Sequence, residues 1–400
     1  MKRARLQFAW CLWAALLLAG VAWPQNRKPD AAQLEQIGRQ AYADRKAPGF
    51  SMLVWSHGSV IFARGYGFAD LAATTPVTPG TRFVIGSITK QFTAACALLL
   101  AEQGRLSIDD RLARYFPHLP NADEITLRML LNHISGLRTY PSFRTHNWPK
   151  KGAIAPKKLL DIFKTDAPDF APGEKFEYSN TNYAVLAAIV AKVSGESYSD
   201  FLRQNIFGPL RMSSSGSGFE VDRGVATPYD GTDGNFEPPR ERLSLDLFFG
   251  AGSIVSTAED LAKRDAALIE GKFLNAQSTQ TLWTHGTLSD GKPTHYAMGF
   301  VPGSIGGHRE VWHNGYTPTA GGYCYNALFP DDQLAIIILS NGSDKSFRGE
   351  PEHMVREVLA LYDPTTAPTN TAESASDSAL AAAPEVMEPA SSSQPAQAVQ

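Results

Sequence analysis

Cysteine is scarce, a basic excess is missing, and no metal-binding spacing occurs in the chain. Three cysteines in 400 residues cannot build a disulfide framework. Cys11 falls in the N-terminal apolar run, so only Cys96 and Cys324 belong to the body, and both are expected as buried free thiols. The nine histidines form no H-E-x-x-H pair and no Cys/His cluster, so neither a metal site nor a cofactor is expected. A formal charge of -3 and the lack of any long charge run leave no surface suited to nucleic acid. No G-x-S-x-G elbow occurs, which weighs against an ordinary α/β-hydrolase. No internal repeat stands out.

What is present is a chain with apolar content of 43%, enough for a large core in one domain or two intimate subdomains. Lys2, Arg3 and Arg5 precede an apolar stretch from Leu6 to Trp23, with small residues at Gly20 and Ala22. This is the layout of a cleaved signal peptide over 1–25, and predicts a periplasmic or secreted protein with no stable membrane span after cleavage. The run is marginal for a full span, and an uncleaved anchor is the alternative. Beyond Pro364 the composition turns to Ala, Ser, Thr, Pro and Glu, which predicts a disordered tail over 364–400.

Between these ends, periodicity predicts a helix over 30–45 with Leu34, Ile37 and Ala41 on one face. Two strands follow, 50–55 and 60–63, around a turn at His57-Gly58. Further helices are expected over 92–102, 126–133 and 182–193, the last closed by Gly195. Ser256-Thr257-Ala258-Glu259 reads as a capping box opening a helix to about Ile269. Strands are expected over 297–301, 322–329 and 334–339, and a last helix over 352–362. The order predicts a mixed α/β (α+β) domain over 26–363: an α/β lobe of about 30–85 and 250–362, interrupted by a helical lobe of about 86–249. A cleft between the lobes is the natural place for a site.

Ser87 and Lys90 stand one helical turn apart, so an amine can reach a hydroxyl and accept its proton. Helix-start amides add positive potential for a developing oxyanion. An S-x-x-K tetrapeptide is expected about once by chance in such a chain, and Ser289-Asp290-Gly291-Lys292 is a second copy that reads as a turn. Three further patches give the first copy its context: Leu131-Asn132-His133-Ile134-Ser135-Gly136-Leu137, Tyr178-Ser179-Asn180, and Trp312-His313-Asn314-Gly315-Tyr316.

In order and spacing these patches resemble the serine β-lactamase and penicillin-binding superfamily on its class C side, over residues 30 to 362. That side includes D-alanyl-D-alanine carboxypeptidases, D-aminopeptidases and β-lactamase-like esterases. The resemblance implies an antiparallel sheet flanked by helices with a helical insertion lobe. It implies Ser87 as nucleophile, Lys90 as its base, and Tyr178 as a proton shuttle whose pKa neighbouring cations would lower. Asn180 would bind a substrate amide, projecting to the same side as Tyr178. The amides of Ser87 and Tyr316 would form the oxyanion hole, and Gly315 would let substrate approach the strand edge. His313 replaces the Lys of Lys-Thr-Gly, so its help would become pH-dependent, and β-lactam hydrolysis as the main activity is put in doubt. His133 and Ser135 are read as structural. The expected partner is a small-molecule or peptide acyl substrate, cell-wall peptide included. A true β-lactamase and a catalytically silent penicillin-binding or sensor module are the alternatives.

Overall fold

The computed structural model describes residues 29–368 apart from 44–45, 141–154, 219–220, 222–223, 232–233, 318 and 344–346. The expected signal segment lies outside these residues, as does the expected tail from 369 onward. Among the described residues no helix is long and apolar enough to cross a membrane.

The main sheet forms from the two ends of the described chain. β1 (Gly49–Ser56) and β2 (Ser59–Asp70) make a hairpin, with the short β3 (Thr75–Pro76) beside β2. His57 and Gly58 both take positive φ, as a two-residue hairpin turn matched to strand twist requires. The small strands β4 (Phe83–Val84), β5 (Gly216–Ser217) and β6 (Ile254–Ser256) form a separate three-stranded sheet. β7 (Val301–Ile305), β8 (His308–Gly315), β9 (Cys324–Phe329) and β10 (Leu334–Ser340) then complete the main sheet. Its order is β3-β2-β1-β10-β9-β8-β7, with antiparallel neighbours throughout.

Helices cover both faces of this sheet. α1 (Ala31–Ala43) lies on one face with the C-terminal helix. α2 (Thr89–Glu102), α3 (Leu127–Leu131), α4 (Pro156–Phe163), α5 (Asn180–Ser194) and α6 (Tyr198–Leu202) make the helical part. α7 (Ala258–Ile269) packs on β1 and β10, α8 (Ala276–Leu282) on α2, and α9 (Glu350–Tyr362) on α1 and β9.

Burial on both faces explains why β1 and β10 read as unbroken apolar runs. Along β10, Leu334, Ile336 and Ile338 join the core under α1 and α9, while Ala335, Ile337 and Leu339 join the core shared with the helical part. That period of two is the strand's own geometry. Cys96 and Cys324 are free and buried.

Several expected boundaries shift for local reasons. The helix expected over 30–45 begins at Ala31, because Asp30 Oδ1 caps it by accepting from Ala32 N at 3.0 Å. The cap of α7 is Thr257, whose side chain accepts from Asp260 N at 3.1 Å, so the Ser256–Glu259 box does not form. The strand expected over 297–301 instead starts at Val301, and β8 joins it as a partner that the apolar pattern did not mark. Past Tyr362 the packed chain continues through a 3-10 turn, Pro364–Thr366, with Thr366 buried, three residues into the segment expected as tail.

Candidate active site

Ser87 lies in a 3-10 turn, Gly86–Ile88, that runs directly into α2. In a 3-10 turn positions i and i+3 eclipse, which sets Lys90 over Ser87 more closely than a regular α-turn would. The Lys90 Nζ atom lies 3.0 Å from Ser87 Oγ, 2.9 Å from Asn180 Oδ1 and 2.9 Å from the Ala251 carbonyl oxygen. Asn180 Oδ1 and a carbonyl can only accept, so they take two N–H bonds from the amine. A neutral amine then has its lone pair left for the Ser87 hydroxyl. Burial favours that neutral form: Lys90 is fully buried and its pKa falls well below the usual 10.5. Ser87 itself is only half-buried, so a substrate can reach the hydroxyl that the hidden amine activates.

Asn180 is the first residue of α5, not a strand neighbour of Tyr178. Its Nδ2 donates to the Tyr140 carbonyl at 3.4 Å, which fixes the amide with its oxygen toward Lys90. The two residues still converge, because the Tyr178 ring centroid lies 4.6 Å from Lys90 Nζ. The structure thus places Asn180 against the base, where its oxygen is already occupied.

Tyr178 departs from the expected depressed pKa. Burial pushes its phenol above the ordinary value of 10.0, and the nearby Ser87 side chain only partly offsets this. The hydroxyl is buried without a well-formed hydrogen bond. Among the described residues the only cationic candidate over its ring is Lys90, whose charge burial disfavours, so the phenol keeps its proton.

His313 also differs from expectation. It is buried on β8, and its Nδ1 lies 2.5 Å from the Asn314 carbonyl. Because a carbonyl cannot donate, the proton sits on Nδ1, and the Tyr296 hydroxyl donates to Nε2 at 3.0 Å. Both nitrogens are therefore engaged within the protein. Burial first, and the Lys90 charge second, lower the His313 pKa to about 3. The expected titration near neutrality does not occur, and His313 has no free atom for a substrate.

The end of β8 closes onto the serine turn. A methyl group on Gly315 would run into the Ile85 carbonyl oxygen, and one on Gly86 into the Tyr316 amide. Gly86 also holds φ +53, a conformation that glycine adopts without strain. These two glycines set the Tyr316 amide beside the Gly86–Ser87 turn, where an oxyanion pair is expected. What Gly315 admits is the protein's own backbone, and Gly86 was missed in the sequence although it adjoins the serine.

Two aromatic residues were also missed as site components. Tyr296 holds His313, and nothing in its sequence surroundings marks it. His133, read as structural, is fully buried with its ring 4.4 Å from Tyr178 and 4.7 Å from Tyr296, centroid to centroid. Burial, and then the charges of Lys90, His313 and His295, hold its pKa well below 6.5. The second S-x-x-K is a turn: Leu288 N donates to the Lys292 carbonyl and Lys292 pairs with Asp290. Among the described residues no group of His, Cys, Asp or Glu could hold a metal ion.

Comparison with known proteins places this geometry. The Beta-lactamase family pattern matches residues 34–360. PbpX of Bacillus subtilis (strain 168) is 31% identical over 84% of this chain and 82% of its own. A D-aminopeptidase of Brucella canis is 28% identical over 78% of this chain, but the match spans only 60% of that protein. Among solved structures, the D-amino acid amidase of Ochrobactrum anthropi SV3 superposes with a TM-score of 0.72 at 26% identity, covering 84% of this chain and 98% of its own. With the serine, the buried amine and the facing strand in place over that span, the chain belongs to the beta-lactamase family of serine hydrolases.

Proposed function

We propose that this protein is an exported hydrolase that cleaves D-amino-acid-containing peptides or amides through an ester on Ser87. The observation that carries the reading is the Lys90 amine, with two N–H groups committed to pure acceptors and its lone pair left for Ser87. In acylation Ser87 Oγ attacks the carbonyl carbon and its proton passes to Lys90. The amides of Ser87 and Tyr316 hold the oxyanion. As the C–N bond breaks, Tyr178 gives its proton to the departing amine, and the Lys90 ammonium returns a proton to the phenolate. Water then attacks the ester, Lys90 takes its proton, and that proton restores the Ser87 hydroxyl.

Substrate class follows from the β8 edge and from the relatives. A fixed cation there would favour a carboxylate next to the scissile bond, as β-lactams carry, but His313 is neutral and internally satisfied. The D-aminopeptidase and D-amino acid amidase among the relatives support an amide donor. Export rests on Lys2, Arg3, Arg5 and the apolar run behind them. The test is a panel of a D-amino-acid amide, a D-Ala-D-Ala peptide, a p-nitrophenyl ester and a chromogenic cephalosporin, with an acyl adduct read by mass spectrometry. The expected result is amide or peptide turnover ahead of cephalosporin, with an adduct that Ser87→Ala abolishes. Turnover that survives Ser87→Ala overturns the proposal.

A further inference from the structure

The H-x-S-G patch holds more than a turn. His133 sits just past α3 with φ +57, so its backbone and ring face in directions a helical residue could not combine. Its carbonyl accepts from Glu177 N at 2.9 Å, and its Nδ1 accepts from Ser179 N at 3.1 Å. These are the two residues flanking Tyr178. The His133 ring then lies against the Tyr178 ring at 4.4 Å. One residue thus holds the tyrosine from before, from behind and across its face.

The clamp is itself held in one proton state. Asn182 Nδ2 lies 3.3 Å from the same Nδ1, while Asn182 Oδ1 accepts from Ser135 Oγ at 2.6 Å. The asparagine is therefore oriented with its amide nitrogen toward the histidine. Two N–H groups directed at Nδ1 require its lone pair, so the ring proton sits on Nε2. A protonated His133 would lose both bonds. Ser135 also accepts from Leu137 N at 3.1 Å, which ties the loop that carries His133. Histidine, like asparagine and aspartate, combines a side-chain acceptor with tolerance of positive φ, and of these asparagine keeps the acceptor without a charge.

We propose that His133 is the positioning residue for Tyr178, acting through its Nδ1 acceptor to hold the phenol where it can protonate a leaving amine. This rests on the Ser87 and Tyr178 roles proposed above. Its consequence is selective. An amine must be protonated to leave, whereas p-nitrophenolate leaves without a proton. Loss of the Nδ1 acceptor should therefore damage amide cleavage and spare the first acylation by a p-nitrophenyl ester.

The test measures both steps on the full chain. The burst of p-nitrophenolate gives the acylation rate and, from its amplitude, the number of competent sites, so a partly folded variant is still read per site. His133→Phe and His133→Gly remove the acceptor, and His133→Asn keeps it. The expected result is that both acceptor-free variants lose at least about 100-fold in kcat for a D-amino-acid amide, with KM changed less than about 3-fold. Their burst rates should stay within about 5-fold of the parent, and His133→Asn should recover amide turnover to within about 10-fold. Tyr178→Phe should show the same split, and combining it with His133→Phe should add nothing further. The inference is overturned if burst and amide turnover fall together, if His133→Asn is as poor as His133→Gly, or if the double variant is additive. A parent protein that gives no Ser87-dependent burst overturns the underlying reading instead.

Discussion

At the scale of the residue, the site is organised by what burial does to charge. Lys90 lies in a place where an ammonium is disfavoured, and the same burial leaves it a base. An unfolded lysine holds its proton up to about 10.5, while the buried amine releases it well below that. Between those values the unfolded chain binds more protons, so this group's contribution to stability rises with pH and is a handicap at neutrality. Lys90→Met should therefore melt at the same temperature as the parent or higher at pH 7, with a weaker dependence of stability on pH. Its kcat for acylation should fall about 10²–10⁴-fold, the usual worth of a positioned base. Paired melting curves and burst kinetics check this, and a large fall in melting temperature would contradict it. For the parent, His313, whose pKa burial lowers to about 3, should leave no titration near neutrality in the pH profile of activity. That Ser87, Lys90 and Tyr178 would come together was legible in the sequence because motif order survives without a structure. The state of each was not: the histidine's closed tautomer depends on Tyr296, seventeen residues earlier, and the phenol's proton on its burial.

At the scale of the element, activity depends on how closely β8 meets the turn before α2. Gly315→Ala places a methyl group against the Ile85 carbonyl, so strand and turn must separate. That should remove the Tyr316 amide from the oxyanion and lower kcat about 10²–10³-fold, the effect of losing one such donor. Destabilisation should be about 1–3 kcal/mol, as for an overpacked contact. Steady-state kinetics with a chemical-denaturation curve on the same sample separate the two effects, and unchanged kcat would sink the idea. Long apolar elements were readable from period alone: α2, β10 and α9 lie within a few residues of their expected bounds. β8 was not, because Val311 and Trp312 are its only apolar pair, set between His308-Arg309-Glu310 and His313-Asn314-Gly315, which hides a strand buried along most of its length. The α7 cap moved by one residue because Ser256 is still the last residue of β6, paired with Phe83, and its hydroxyl lies 2.8 Å from Ser215 Oγ.

At the scale of the molecule, α7, the serine helix and the sheet are joined by one buried polar group. Arg264 of α7 donates to Gln91 Oε1 of α2 at 2.6 Å and to Asn326 Oδ1 of β9 at 3.0 Å. Its Nε lies 2.9 Å from Asp265 Oδ1, an ionic contact whose direction falls short of a hydrogen bond, and Asn326 Nδ2 donates to Asp265 Oδ2 at 2.6 Å. Burial moves the two pKa values toward each other, raising Asp265 and lowering Arg264. Such a pair costs little to replace as a unit and much to break. Arg264→Leu should lose about 3–5 kcal/mol by orphaning Asp265, and adding Asp265→Asn should restore most of it. Denaturation midpoints of the two singles and the double decide; an additive double would refute the coupling. This cluster was invisible in the sequence, where Arg264 and Asp265 fall on a helix that reads as half-exposed.

The pairing of β1 with β10 has a further consequence for the order of assembly. Phe50 stands opposite Ser340, and the Ser340 hydroxyl donates to the Gly49 carbonyl across 291 positions of sequence. The middle of the sheet is thus the last part for which both partners exist. A nascent chain can complete the β1–β2 hairpin and the helices early, since their contacts are local. Until residue 340 emerges, however, the inner edge of β1 has no neighbour, and the wall that carries β8 to Ser87 has nothing to hang from. Catalytic competence therefore arrives late and all at once, with closure of a long loop as the slow step, and the open β1 edge is the point most in need of protection while the chain waits.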